Sequence, residues 1–238
     1  MPRIARTAAQ ARLCGPLFAI GAVLTPHSWA GRPLGTEDAG TNSQAQCQVE
    51  AWVDSASEGR QTHVAPACGL IDGLELGLEW VKATPGDTLP QGRSGALKWA
   101  PDWLGWHGWR FGAKVSAGQE KAPDDARWRN ASLAALGIAS YTVSPEWTVH
   151  VNMGRARNRL AGVTAATYGT ALVWTPHERW LVFGEVTGDS RTPAMQTIGM
   201  RWWMLPEQLG LDVTSSRTNA TSDSAAWGLG LGWYGIKF

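Results

Sequence analysis

From residue 46 onward the apolar positions of the chain recur every second residue, the period of a strand whose two faces meet different surroundings. Leu74, Leu76, Leu78 and Trp80 alternate with Glu75, Gly77 and Glu79. Trp109, Phe111, Ala113, Val115 and Ala117 alternate in the same way with Arg110, Gly112, Lys114 and Ser116. Two further clean segments set Trp147, Val149, Val151 and Met153 against Thr148, His150 and Asn152, and Leu209, Leu211 and Val213 against Gly210, Asp212 and Thr214. Carried along the chain, the pattern predicts an all-β protein with twelve antiparallel strands. They fall at 46–53, 61–67, 73–81, 93–99, 109–117, 131–142, 147–153, 166–174, 180–186, 194–204, 209–216 and 227–238. Ten strands is the alternative, because the second segment is short and carries Pro66, which has no N–H to give a ladder.

A period of two fits a sandwich, with its apolar face on a core, as well as a membrane barrel, with its apolar face on lipid. Two patterns favour lipid. Short turns at 144–146, 175–179 and 206–208 alternate with longer polar stretches at 82–92, 118–129, 155–163 and 217–224, the asymmetry of up-and-down barrels in membranes. Trp99, Trp103, Trp106, Trp109, Trp147, Trp174, Trp180, Trp202, Trp203 and Trp233, ten of fifteen tryptophans, lie beside the short turns or the chain end. An indole prefers the headgroup zone, where its body meets hydrocarbon and its N–H meets water. An even strand count returns both termini to one side of the membrane.

The last residues carry the sharpest motif. Tyr234, Ile236 and Phe238 occupy alternate positions at the very end. In this the chain resembles bacterial outer-membrane β-barrel proteins, whose C-terminal signal is recognised by the barrel-insertion machinery. The resemblance implies a porin-like barrel in the cell outer membrane, with outer-membrane lipid and lipopolysaccharide as its surroundings. Trp227, Leu229, Leu231 and Trp233 are out of phase with the motif, which predicts a bulge near 232–235, where glycines accept the required backbone. The GLGLG run is followed by no helix pattern and is no nucleotide loop.

Residues 1–30 read as a removable export signal. Arg3, Arg6 and Arg12 precede a short apolar stretch at 13–24, and Ser28-Trp29-Ala30 ends it with small residues at the two positions that matter for cleavage. Residues 31–45, rich in Gly and Thr with no apolar period, read as a flexible lead-in, and 46–238 as the barrel. The signal takes three Arg from 21 basic and 20 acidic residues, leaving a near-neutral balance with both signs interspersed and no basic face for nucleic acid. Beyond Cys14, only Cys47 and Cys68 remain, and in an oxidising compartment such a pair is most simply a disulfide. Paired residues of an antiparallel hairpin share a constant index sum. A first turn near 55–60 therefore sets Cys47 opposite Cys68, and the turn at 205–208 sets Arg201 opposite Asp212 on the lumen face.

The polar face of the strands predicts a lumen lined by Glu75, Glu79, Lys98, Arg110, Lys114, His150, Asn152, Glu185, Arg201 and Asp212. Such a mixed lining either cross-links a filled barrel or flanks a thin aqueous path. A small passive channel for polar solutes is the first expectation. A structural or docking barrel is the second, with Arg155, Arg157 and Arg159 in an outer loop suited to lipopolysaccharide phosphates. An outer-membrane enzyme is the third. No catalytic constellation supports it: His150 has Asn152 two places on, His63, His107 and His177 lack an acid or nucleophile at suggestive spacing, and Asp124-Asp125 reads as a solvated loop tip. Nothing in the sequence calls for a metal or cofactor.

Overall fold

A computed structural model of the chain describes residues 33–86, 89–218 and 225–237. The segment read as an export signal and the terminal Phe238 lie outside the described residues. Twelve strands follow one another: β1 Gln46–Ala56, β2 Gly59–Ile71, β3 Leu74–Thr84, β4 Gln91–Trp99, β5 Trp109–Lys121, β6 Arg129–Ser144, β7 Trp147–Asn158, β8 Val163–His177, β9 Trp180–Asp189, β10 Met195–Leu205, β11 Leu209–Thr218 and β12 Ala225–Lys237. Each pairs antiparallel with its neighbour in sequence, and β1 pairs with β12 to close the barrel. Closure leaves no row of unpaired backbone groups facing lipid, which the bilayer interior would penalise heavily.

The count is twelve because β2 is a full strand of thirteen residues despite Pro66. Pro66 pairs with Val49 on the β1 side, while on the β3 side the ladder passes from Val64–Trp80 to Ala67–Gly77 with no pair in between. The ring is thus placed where no donor is demanded. At the end opposite the termini the strands run further than their apolar pattern, since ladder hydrogen bonds are made by backbone whatever the side chains are. The polar stretches at 118–129 and 155–163 are consequently in part hairpin arms, and Arg155 and Arg157 stand on β7, not in a loop. At the terminal end the connections are tight except at 100–108, which holds a 3-10 turn at Asp102–Leu104.

The two faces of the wall are sorted as lipid and water require. Outward lie Leu78, Met153 and Leu229, which are 41, 70 and 52% exposed. Inward lie Glu79, Lys98, Lys114, Glu185, Arg201 and Asp212, all buried. Near the terminal end the tryptophans form pairs, Trp147 on Trp174 with ring centroids 5.6 Å apart, Trp99 on Trp103 at 5.7 Å and Trp180 on Trp202 at 6.3 Å. Trp203 is the exception to the rim expected from sequence. It stands one position after Trp202, so the alternation of the strand turns it inward, where the Arg201 guanidinium lies 4.8 Å from its ring.

The phase break in β12 is a bulge. Trp233 pairs with Val49 and Ile236 with Cys47, so β12 spends one residue more than β1 over the same span. Gly235 takes it up at φ 67°, a left-handed backbone that favours glycine. Tyr234 is thereby turned into the barrel, where its hydroxyl donates to Glu50, while Ile236 comes back into register on the side of Val49. Tyr234 and Ile236 therefore do not share a face, and Phe238 lies outside the described residues.

Candidate functional site: the strapped lumen

Residues 33–45 are not a loose lead-in within this fold. They form a strap that crosses the barrel interior, held by the polar groups the strands point inward. It has no apolar period because it has no apolar surface to cover; the wall binds its backbone and its polar side chains. It enters beside β2, where Gln44 bridges to Gly69 and the Ala45 N–H donates to the Gly69 carbonyl at 3.2 Å. The strap passes so close there that a Cβ on Gly69 would lie 2.2 Å from the Ser43 carbonyl oxygen. Asn42 then donates to Glu75 through its backbone N–H at 2.8 Å and its side-chain amide at 2.9 Å.

Further in, the strap meets β4–β9. Asp38 accepts from Lys98 Nζ at 2.7 Å, and Glu37, wholly buried, sits between Lys98 at 3.3 Å and Lys114, which also donates to it. The Glu37 N–H donates to the Asn152 side-chain oxygen at 2.6 Å, and the Asn152 amide donates back to the Glu37 carbonyl at 2.9 Å. The N–H groups of Gly35 and Thr36 both donate to the Glu185 carboxylate, at 2.8 to 3.0 Å. The Ala39 N–H donates to Ser140 Oγ at 2.9 Å, and Ser140 Oγ lies 2.8 Å from His150 Nδ1. Each buried charge on this side therefore has an opposite charge or several hydrogen-bond partners, the condition under which a buried charge is tolerable.

Two other networks occupy the facing wall. Arg201 donates from Nε and Nη2 to the two oxygens of Asp212 at 2.6 and 2.8 Å and lies 3.7 Å from Glu50. His63, 1% exposed, stacks on Trp52 with centroids 4.5 Å apart, sets Nδ1 2.7 Å from Glu79, and brings Nε2 within 3.7 Å of Asp54. A cavity of about 790 Å³ remains in the lumen, lined mainly by the strap and by β1–β3 and β10–β12, with Lys98, Lys114, His150 and Glu185 of the facing wall also reaching it.

Of the residues the sequence assigns to the lumen, Glu75, Glu79, Lys98, Lys114, His150, Asn152, Glu185, Arg201 and Asp212 have their side chains in these three networks. Arg110 does not. Its side chain is half exposed and pairs with Asp102 of the 3-10 turn at the terminal end, beyond the interior. Cys47 and Cys68 are directly opposite and joined by a disulfide. Sequence reasoning missed the strap and with it Glu37, Asp38 and Asn42. It also missed the acids around His63, which come from β1 and β3, not from nearby in sequence. The Ser140–His150 contact was readable in principle, since the two residues pair directly across the β6–β7 hairpin. Among the described residues no group of three or more His, Cys, Asp or Glu side chains is arranged to hold a metal ion.

A closed antiparallel barrel with a greasy exterior, a tryptophan rim and a charged interior defines the class: a transmembrane β-barrel. Residues 20–233 match the model of the family described as "Uncharacterised conserved protein UCP029691", and the chain belongs to that family. No curated protein sequence matches it significantly. Among solved structures the fold is similar to a KdgM porin, with a TM-score of 0.64 at 8% identity over 78% of this chain and 98% of that one. It is also similar to a KdgM porin in complex with disordered oligogalacturonate, with a TM-score of 0.61 at 8% identity over 79 and 98%. A NanC porin gives 0.58 at 10% identity over 81 and 100%. At these identities the likeness concerns architecture.

Proposed function

We propose that the chain is a small passive channel for polar solutes in the outer membrane of a bacterium. The observation that carries this reading is the open cavity left beside the strap. A barrel meant only to be solid would fill its interior with cross-linked side chains, as the β4–β9 half largely does here; the other half keeps an open volume in which carboxylates such as Glu50, Glu75 and Glu79 stand among apolar surface. The likeness of the fold to KdgM and NanC porins, one of them in complex with disordered oligogalacturonate, supports this reading. Removal of residues 1–30 on export and recognition of the chain end by the insertion machinery, through Tyr234, Ile236 and Phe238, belong to the same reading.

Planar-bilayer recording of the purified protein tests it. Discrete conductance steps are the expected result; the absence of any current from barrel that is folded, judged by heat-modifiable migration in detergent gels, would overturn the reading in favour of a docking barrel. One observation favours that second reading: Arg155 and Arg157 stand exposed on β7 at the end away from the termini, on the same face as Met153, where lipopolysaccharide phosphates would lie.

A further inference from the structure

The strap and the open cavity share a boundary. Pro33, Gly35, Glu37, Thr41 and Asn42 line the volume on one side, and β1–β3 and β10–β12 supply most of the other. The volume reaches from Ala56 and Gly59, at the tip of the β1–β2 hairpin, to Trp203 and Tyr234 near the terminal end. Its breadth is therefore fixed by where the strap lies as much as by the number of strands.

The wall is shaped to keep the strap in that place. Between Gly69 of β2 and Glu185 of β9 the segment crosses the strands instead of running along them, so it lies as a shelf over that half of the lumen. Gly69 and Gly169 make room for it: a Cβ on the first would lie 2.2 Å from the Ser43 carbonyl oxygen, and one on the second 3.0 Å from Thr36 Oγ1. Yet no ladder between strands uses the strap, because each strand is already bonded to two others in the closed ring. The wall groups it covers are lysines, carboxylates, an amide and a hydroxyl, all of which water can solvate in its place. A barrel without the strap therefore keeps its wall and gains lumen. A wall of twelve strands lies between the size that side chains fill and the size of open porins.

We propose that the strap sets the size limit of the passage, a role that rests on the channel reading: held against β2–β9, it narrows the lumen to the space beside it. Solutes are then admitted by cross-section. Glu37 is the pin of the arrangement, since it is wholly buried and meets Lys98, Lys114 and Asn152 from β4, β5 and β7, while Asp38 adds a second contact to Lys98. The segment before β1 is thus a constriction inside the barrel and not a lid over one of its ends.

Planar-bilayer conductance in the presence of poly(ethylene glycol) of graded size tests this, because polymer that enters a pore lowers its current. Deletion of residues 33–43 should raise single-channel conductance several-fold and move the exclusion limit to larger polymers. If that variant does not fold, Glu37→Ala with Asp38→Ala decides instead: the unpinned strap should give excursions well above the wild-type level. Adding Thr36→Cys and Gly169→Cys to this second variant should, on oxidation, return the current to the wild-type level, and reductant should release it again; the altered charge of the lumen would not respond in that way. Conductance and exclusion limit equal to wild type in the variant that folds, or a raised current that the oxidised lock leaves unchanged, would overturn the inference and leave the channel intact. Current from the deletion variant with none from the wild type would overturn the channel reading for the intact protein and support the strap as what closes the lumen. No current from either would overturn both.

Discussion

Arg201 and Asp212 face one another directly across the β10–β11 hairpin, and the guanidinium grips both carboxylate oxygens while Glu50 of β1 stands 3.7 Å away. The pair ties three strands on either side of the barrel closure, and it is buried, so the two partners depend on each other. Asp212→Asn should therefore destabilise the barrel by about 3–5 kcal/mol, the usual cost of stranding a buried charge. Replacing all three charges, as in Arg201→Met with Asp212→Leu and Glu50→Gln, should cost less than Asp212→Asn alone. Urea unfolding in lipid vesicles followed by tryptophan fluorescence measures both.

The disulfide joins β1 to β2 over a separation of 21 residues. In the loop-entropy model a bond of this span contributes about 3 kcal/mol. Cys47→Ser with Cys68→Ser should fold, since all other ladder bonds of the hairpin remain, and should melt earlier than the oxidised wild type. Equal melting of reduced and oxidised protein would contradict this.

In the loop between β5 and β6, Asp125 accepts the backbone N–H of Arg127 at 3.0 Å and a guanidinium N–H of Arg129 at 2.6 Å. The Arg127 N–H first, and Arg129 next, hold its carboxyl down at about 2, from an ordinary 3.8. A depressed carboxyl favours the ordered loop above its ordinary range, and that contribution is lost as pH falls through about 2. Carbon-detected NMR should find Asp125 titrating near 2, well below the ordinary 3.8. Arg129→Met should raise its midpoint only in part, because the backbone donor stays.

Lipid-facing and interior positions should respond to charge in opposite ways. Leu78→Arg, on the exposed face of β3, should cost about 2–4 kcal/mol if its depth is near the bilayer middle. Thr214→Arg, pointing inward on β11 beside the cavity, should leave stability closer to wild type and change conductance instead. Comparing unfolding and single-channel current for the two variants checks the assignment of faces.

The architecture was legible because the wall of a barrel obeys one rule, with apolar and polar side chains alternating, and because index sums along a hairpin fix which residues meet. Those two facts place Cys47 opposite Cys68 and Arg201 opposite Asp212 without coordinates. The strap was illegible for the complementary reason. Many of its contacts are made by backbone N–H groups, those of Gly35, Thr36, Glu37 and Ala39 among them, which every sequence possesses, and their acceptors, Glu185, Asn152 and Ser140, are more than a hundred residues away. Composition alone made this segment look like a tail. Trp203 and Arg110 show the limits of the rule at strand ends: proximity to a turn did not decide that Trp203 faces inward, and the start of β5 lies beyond the lumen, where Asp102 captures Arg110.

The account depends on a wall whose greasy side meets acyl chains and whose charged side is enclosed. Spin labels placed one at a time along residues 209–216 and 226–233 in lipid vesicles read this directly, through collisions with oxygen, which dissolves in the bilayer, and with a nickel chelate, which stays in water. Labels at Leu211, Val213, Leu229 and Leu231 should show oxygen maxima, and those at Asp212, Thr214, Gly228 and Gly230 oxygen minima, in strict alternation. The opposite phase, or no period of two, would contradict the account.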